Sequence, residues 1–392
     1  MHLLTKYSLE SGQKIGKIHV YEKYYPLPIN KYIIIQPWSK PSKNYSYWDE
    51  ILSILYPILN KNNIYIVQVG GEKEEPLKFC INTQGTTSFG QLEYLISKSM
   101  LVLSTDSISA HLAGHYNKHL VTLISNNYSS AVKPFFGEQN KQIILEPLVR
   151  NELKPLFTDN ENGKKQIDTI PPELIINSVL KLLNLGENFN YKSISIGSNY
   201  NNKGVESLCD DVIDVNKIGC ALIGMRMDYN YNLNVLTKQL SFSKCHIITK
   251  KEIPIDILNN FKNNITGVVY EITENHNPNF IKNLIDLKIP YQLVSNLTEE
   301  KIDLIKLDYM DYGIIYQINN SKIKDKIKNQ KEKVFYKSSK LLISKGKFYQ
   351  TYCDYLNGRN FNPMNIQLQE IIDKNIEELY SESHSCIFYI KS

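Results

Sequence analysis

Apolar residues in this chain come in short continuous runs, separated by polar turns and by stretches with helical spacing. Tyr32–Gln36 (YIIIQ) is such a run, as expected of a buried parallel strand. It ends in the turn-rich loop PWSKPSKNYSYW. A helix is expected over 47–59, with Ile51, Leu52, Leu55 and Ile58 on one face. Residues 64–69 (IYIVQV) read as the second strand, closed by Gly70 and Gly71, and 72–79 as the start of the next helix. Residues 89–97 carry Leu92, Leu95 and Ile96 as an apolar stripe. A strand at 100–103 then runs into the polar turn 104–107, a helix from Ser109 and a strand at 120–124. Strands alternating with helices imply a parallel sheet covered by helices, and such sheets bind ligands at the carboxyl ends of their strands. Three polar loops fall there, at 37–45, 70–75 and 104–107.

The pattern pauses at 184–204, an Asn/Ser/Gly-rich stretch with the character of a linker. It then resumes, with strands expected at 219–223, 246–249, 267–271, 291–294 and 313–317. Helices are expected at 233–241, 255–263, 278–287, 298–307 and 321–331, and Thr298 before Glu299 and Glu300 is a helix-start signal. A hairpin turning near Lys345 and Gly346, an amphipathic helix at 366–380 and a strand at 386–390 close the chain. The short aromatic run KIHVYEKYY near the start reads as a strand. The fold class expected is α/β, with two Rossmann-like parallel-sheet domains. The expected divisions are 1–185, a linker at 186–204, a second domain at 205–332 and an α+β extension at 333–392.

Composition narrows the classes. A chain of 392 residues accommodates two domains, and a formal charge of +5 with interspersed signs gives no polybasic tail, so nucleic acid is not expected as a partner. The six cysteines form no CxxC pair, which signals neither a zinc site nor a disulfide framework and suits reduced thiols in a cytoplasm. No run is long and apolar enough for a membrane span, and the first residues lack the apolar core of a signal peptide. No Gly-x-Ser-x-Gly elbow, Walker A loop or Gly-x-Gly-x-x-Gly turn occurs.

The stretch STDSISAH (104–111) carries the clearest chemistry. A buried strand delivers Thr105, Asp106 and Ser107 to the positive end of a helix, and His111 follows one turn later. Free N–H groups and the helix dipole at such a place favour a phosphate-bearing, hydroxyl-rich ligand such as a nucleotide sugar. The plainer reading is that Asp106 or Ser107 caps an ordinary helix and His111 lies on its surface.

The order of motifs over 30–185 resembles the nucleotide-sugar-binding domain of family 9 glycosyltransferases, the heptosyltransferases. The elements that carry the resemblance are Gln36-Pro37-Trp38-Ser39, then Lys43 and Trp48; Gly70-Gly71 followed by acids; Asn82, Gly85, Thr87 and Ser88; Asp106-Ser107-Ile108-Ser109-Ala110-His111-Leu112-Ala113; Lys133-Pro134-Phe135-Phe136-Gly137; and Pro172-Glu173 opening a helix. Trp38 and Ile108 stand where the family keeps Gly. The resemblance implies a GT-B-like fold; because only about 30 residues precede the donor-type domain, two arrangements stay open, one in which the acceptor half is lost and one in which it follows, in permuted order. It also implies transfer of a hexosyl or heptosyl group from a nucleotide sugar to a glycan, lipid-linked or other hydroxyl acceptor, with peripheral contact to a membrane, no cofactor and no metal.

Under that reading Lys43 stabilises the leaving diphosphate, with Ser39, Thr105 and Ser107 as hydroxyl donors. Gly70, Gly71 and Glu75 line the donor site, Glu75 or Glu74 accepts from ribose hydroxyls, and Asp106 and His111 complete it. Asp228, in the first loop of the second domain, is the candidate base for the acceptor. The stretch Asp308-Tyr309-Met310-Asp311 is not an Asp-x-Asp metal motif. Two other readings stand beside this one: a catalytically inactive glycosyltransferase-like binding or structural protein, and a glycosyltransferase acting on modified bases in DNA.

Overall fold

A computed structural model describes residues 1–148, 165–220, 222–309, 312–318, 321–363 and 366–392, so Met310 and Asp311 lie outside the described residues. The chain divides into two compact units, Met1–Lys192 and Ser193–Ser392, both α/β.

The first unit begins with α1 (Leu3–Ser11), β1 (Tyr32–Gln36), α2 (Trp48–Lys61), β2 (Tyr65–Gln68), β3 (Ile81–Asn82), α3 (Phe89–Lys98) and β4 (Leu101–Thr105). It continues with α4 (Ile108–His115), β5 (His119–Leu123), α5 (Ser129–Val132), β6 (Gln142–Leu145) and α6 (Pro172–Leu182). Its six strands are all parallel, in the order β3-β2-β1-β4-β5-β6. Ile33, Ile34 and Ile35 are fully buried, as a central strand covered on both faces requires. Ile34, Val67, Val102 and Leu120 pack with Leu95, Leu112 and Ala113 of α3 and α4 on one face. α2 and α6 pack against each other, and α6 packs on β4 and β5.

Three sequence expectations need correction here. KIHVYEKYY is not a strand; it crosses α3, where Lys23 N donates to Gly90 O (2.9 Å) and Tyr21 N to Glu93 Oε2 (3.1 Å). Gly90 permits that approach, since a Cβ there would lie 2.5 Å from Tyr21 O. Residues 72–79 form turns, not a helix. Leu77 N donates to the Gln68 side chain, the Glu75 carbonyl accepts from side chains, and Phe79 sits at φ 64°, so the backbone groups a helix would use are already committed. β6 has no counterpart among the expected strands.

The second unit opens within β7 (Tyr191–Ile196), which lies inside the polar stretch read as a linker, as does the first residue of β8 (Gly204–Ser207). There follow α7 (Val215–Ile218), β9 (Ile223–Arg226), α8 (Leu233–Phe242), β10 (Cys245–Thr249), α9 (Ile255–Phe261), β11 (Ile265–Glu271) and α10 (Pro278–Asp286). β12 (Tyr291–Ser295), α11 (Glu299–Asp308), β13 (Ile315–Gln317), α12 (Ser321–Lys328), β14 (Val334–Ser338), β15 (Lys340–Ser344) and β16 (Lys347–Tyr349) come next. The chain closes with α13 (Tyr352–Leu356), β17 (Gln369–Glu370), α14 (Glu377–Glu382) and β18 (Cys386–Lys391).

The large sheet has the order β13-β12-β11-β10-β9-β8-β15-β16, parallel from β13 through β15, with β16 antiparallel. A second sheet has the order β17-β14-β18-β7. The strand expected at 219–223 begins only at Ile223, because Gly219, at φ 70°, terminates α7. The helix expected at 366–380 is replaced by β17 and the shorter α14: Gln369 and Glu370 pair with β14, and Arg359 Nη1 donates to Glu370 O (2.6 Å). The hairpin at Lys345-Gly346 and the closing strand are present as expected.

Candidate functional site

The strand order of the first sheet reverses between β1 and β4, which leave their helices on opposite sides and open a crevice at their carboxyl ends. The three polar loops meet there because β2, β1 and β4 are neighbours in the sheet. Hydrogen bonds tie them together. Lys43 Nζ, in the loop after β1, lies 2.6 Å from Asp106 Oδ2 after β4. Trp38 Nε1 donates to Glu75 O (2.7 Å), joining the first loop to the one after β2.

Ser107 stands at the N-cap of α4, but neither candidate side chain caps the helix. The Asp106 carboxylate takes Lys43, and the Ser107 hydroxyl donates to Gln36 Oε1 (2.9 Å). The Gln36 oxygen also accepts from Ser109 N (3.3 Å), so the last residue of β1 caps the helix of β4. Ile108 does not strain this turn. It occupies the first helical position without a positive φ, and its side chain is 44% exposed. Ser104, beside Gln36 in register, and Thr122, beside Ser104, are fully buried, as is Ser109 at the start of α4. Their hydroxyl oxygens have no hydrogen-bond partner.

Most of the remaining expected residues sit around this crevice. His111 is half-buried; burial holds its imidazole below the ordinary value against the pull of Asp106, with His2 and Lys43 adding to the depression. It is therefore neutral at pH 7 and can both donate and accept. Ser39 is exposed, and its N–H donates to Asn44 Oδ1 (2.7 Å). Thr105 is fully buried with its hydroxyl unpartnered. Gly70 lies against Glu74: a Cβ at position 70 would come 1.8 Å from Glu74 Oε2. That oxygen is buried without a partner, and burial raises the Glu74 carboxyl above its usual range although the Gly71 backbone N–H opposes this. The Glu75 side chain is exposed.

Sequence reasoning missed the residues that hold the first loop in place. Asp168, buried, accepts from Ser46 N (2.8 Å) and Ser46 Oγ (2.7 Å), and Tyr45 Oη donates to Ile170 O (2.8 Å). No local pattern could have paired positions this far apart. Gln36 did leave a signal, as a polar residue closing an apolar strand.

Asp228 belongs to the second unit. Both its oxygens accept from Arg226, through Nε and Nη2, at 2.9 Å each. Arg226 Nη1 also donates to Glu206 (2.6 Å) and Glu382 (3.4 Å), and its guanidinium carbon lies 3.8 Å from the centre of the Tyr229 ring. Lys340 reaches Glu206 from β15 at 2.6 Å. Burial opposes ionisation of Glu206, yet Arg226 and Lys340 hold it at about 2. Among the described residues no group of three or more His, Cys, Asp or Glu side chains is placed to hold a metal ion, and no helix is long and apolar enough to cross a membrane.

In fold, part of this chain is similar to heptosyltransferases. ADP-heptose LPS heptosyltransferase II of Escherichia coli matches at 19% identity and a TM-score of 0.32, over 41% of this chain and 48% of that one. A family 9 glycosyltransferase from Veillonella parvula matches at 19% identity and 0.32, over 39% and 46%. The iron-containing, dodecameric heptosyltransferase TibC, solved with ADP-D-β-D-heptose, matches at 10% identity and 0.33, over 43% and 49%. Each match spans less than half of the known structure. No family model and no curated protein matches the chain.

Proposed function

We propose that this chain is a glycosyltransferase that takes a nucleotide sugar in the β1/β4 crevice of its first unit and passes the sugar to a hydroxyl acceptor in the cytoplasm. The observation that supports the reading is the convergence of Lys43, Asp106, His111 and the Gly70–Glu75 loop at the strand-order reversal of a parallel sheet. In the reaction, an acceptor oxygen bonds to the anomeric carbon while the carbon–oxygen bond to the diphosphate breaks. Negative charge builds on the departing diphosphate. Lys43, released from Asp106, supplies the positive charge, and neutral His111 and the Ser39 and Ser107 hydroxyls supply hydrogen bonds, so this reading assigns the step to side chains and not to a metal. Glu75 accepts from the ribose hydroxyls. A glycan or lipid-linked hydroxyl is the acceptor we propose, with Asp228 as the candidate base.

The pairing of both Asp228 oxygens with Arg226 favours a second reading, a nucleotide-sugar-binding module without transfer activity. Thermal unfolding of the full chain with UDP-, GDP- and ADP-sugars tests the binding common to both. A ligand at 100 times its Kd stabilises by about 2.7 kcal/mol, and a panel without any shift would contradict both readings. Release of free nucleoside diphosphate in the presence of a glycan acceptor separates them.

A further inference from the structure

The chain has two tryptophans, and both lie near the end of β1. Trp48 is an ordinary core residue. It is 2% exposed, packs edge-on against Tyr45, and donates its N–H to Pro37 O (3.2 Å). Trp38 is different. It is only half-buried, and its ring makes no ring–ring or cation–π contact among the described residues. Its N–H nevertheless has a firm anchor, Glu75 O at 2.7 Å. The same carbonyl accepts from Gln68 Nε2 (3.0 Å), and Gln68 is itself fully buried and fixed by Leu77 N through its Oε1 (2.7 Å). The indole is thus pinned by its edge across two loops of the crevice, with no aromatic ring or cation stacked on it among the described residues. Glu75, whose backbone carbonyl holds the indole, is itself exposed.

We infer that Trp38 is the platform on which the heteroaromatic base of the nucleotide stacks. This inference rests on the nucleotide-sugar reading of the crevice. A tethered indole offers a large flat face at little entropic cost, because its orientation is set before the ligand arrives. Stacking tolerates any base, since every base has a π-face. The neighbouring Glu75 then falls where ribose hydroxyls follow the base.

Trp48 is shielded, so a change in tryptophan emission on binding reports on Trp38. The test titrates the full chain with ADP, UDP, inorganic pyrophosphate and ribose 5-phosphate, following fluorescence and, in parallel, heat. ADP or UDP is expected to quench the emission, whereas pyrophosphate and ribose 5-phosphate are not. Trp38→Ala is expected to abolish the quench and weaken nucleotide binding about tenfold or more. Trp38→Phe keeps a ring without the N–H anchor and is expected to retain most of the affinity. The Trp48 emission that remains in both variants shows whether they are folded. Nucleotide binding by calorimetry that is unchanged in Trp38→Ala, or equal quenching by pyrophosphate, would overturn the inference and leave the nucleotide-sugar reading standing. Absence of binding by ADP, UDP and, titrated in the same way, GDP in the wild-type chain would overturn the two together.

Discussion

Lys43 and Asp106, carried on loops that follow different strands, form an ion pair of 2.6 Å across the crevice, with the carboxylate nearly buried and the ammonium partly exposed. The pair neutralises both charges and holds the ammonium at the crevice. Lys43→Ala is expected to weaken nucleotide-sugar binding by about tenfold or more, the scale of one charged hydrogen bond. It leaves the Asp106 carboxylate short of its cation, so a stability loss of about 1 kcal/mol is also expected. Calorimetric titration and thermal unfolding measure the two effects separately.

Gly70 and the Glu74 carboxylate occupy adjoining space at the end of β2. In Gly70→Ala the new methyl group meets Glu74 Oε2 at 1.8 Å, at a backbone φ of 155°. The carboxylate must swing away, and the loop that carries Glu75 must shift with it. A stability loss of about 1–2 kcal/mol is expected, together with weaker nucleotide-sugar binding. Wild-type affinity in a folded Gly70→Ala protein would show that this loop does not touch the ligand.

Arg226 compensates three carboxylates, Glu206, Asp228 and Glu382. Arg226→Leu strips all three of their shared cation and is expected to cost about 3–5 kcal/mol. Asp228→Asn leaves two of the ion pairs intact and is expected to cost only about 1–2 kcal/mol. Chemical denaturation orders the two variants. If Asp228 is the base, Asp228→Asn also loses turnover while donor affinity stays unchanged.

Protonation of His384 should weaken the fold in mild acid. Burial, helped by Lys340, pushes His384 from 6.5 down to about 4. Between those values the unfolded chain binds a proton that the folded chain does not, so stability rises with pH through this window and is lost as pH falls towards 4. His111 and His246, also depressed by burial, act in the same direction. Glu382, raised by burial, opposes them: its contribution is present at low pH and is lost as pH rises through its folded value. Glu74 and Asp354, also raised by burial, act with Glu382, so the expected outcome is read at His384 alone: denaturation midpoints at pH 7 and pH 5 should show the wild-type chain losing more stability in acid than His384→Gln.

The parallel sheets were legible because buried strands such as YIIIQ leave continuous apolar runs, and the three crevice loops because they follow those runs. Within the crevice, the local motif suggested that Asp106 or Ser107 caps α4, yet Gln36 does so from a neighbouring strand. That contact depends on register, which a single sequence does not display. Residues 72–79 misled for a related reason: the Gln68 side chain draws the chain into turns that its helical spacing does not foretell. The support Asp168 gives to Ser46 was invisible because nothing local marks either residue.

The central claim is that the β1/β4 crevice binds a nucleotide sugar through Lys43. Its most direct test is calorimetric titration of the full chain and of Lys43→Ala with UDP-, GDP- and ADP-sugars. Saturable binding of at least one of them to the wild-type chain is expected, weakened about tenfold or more in the variant. Failure of all three to bind, or equal affinity for the folded variant, would contradict it.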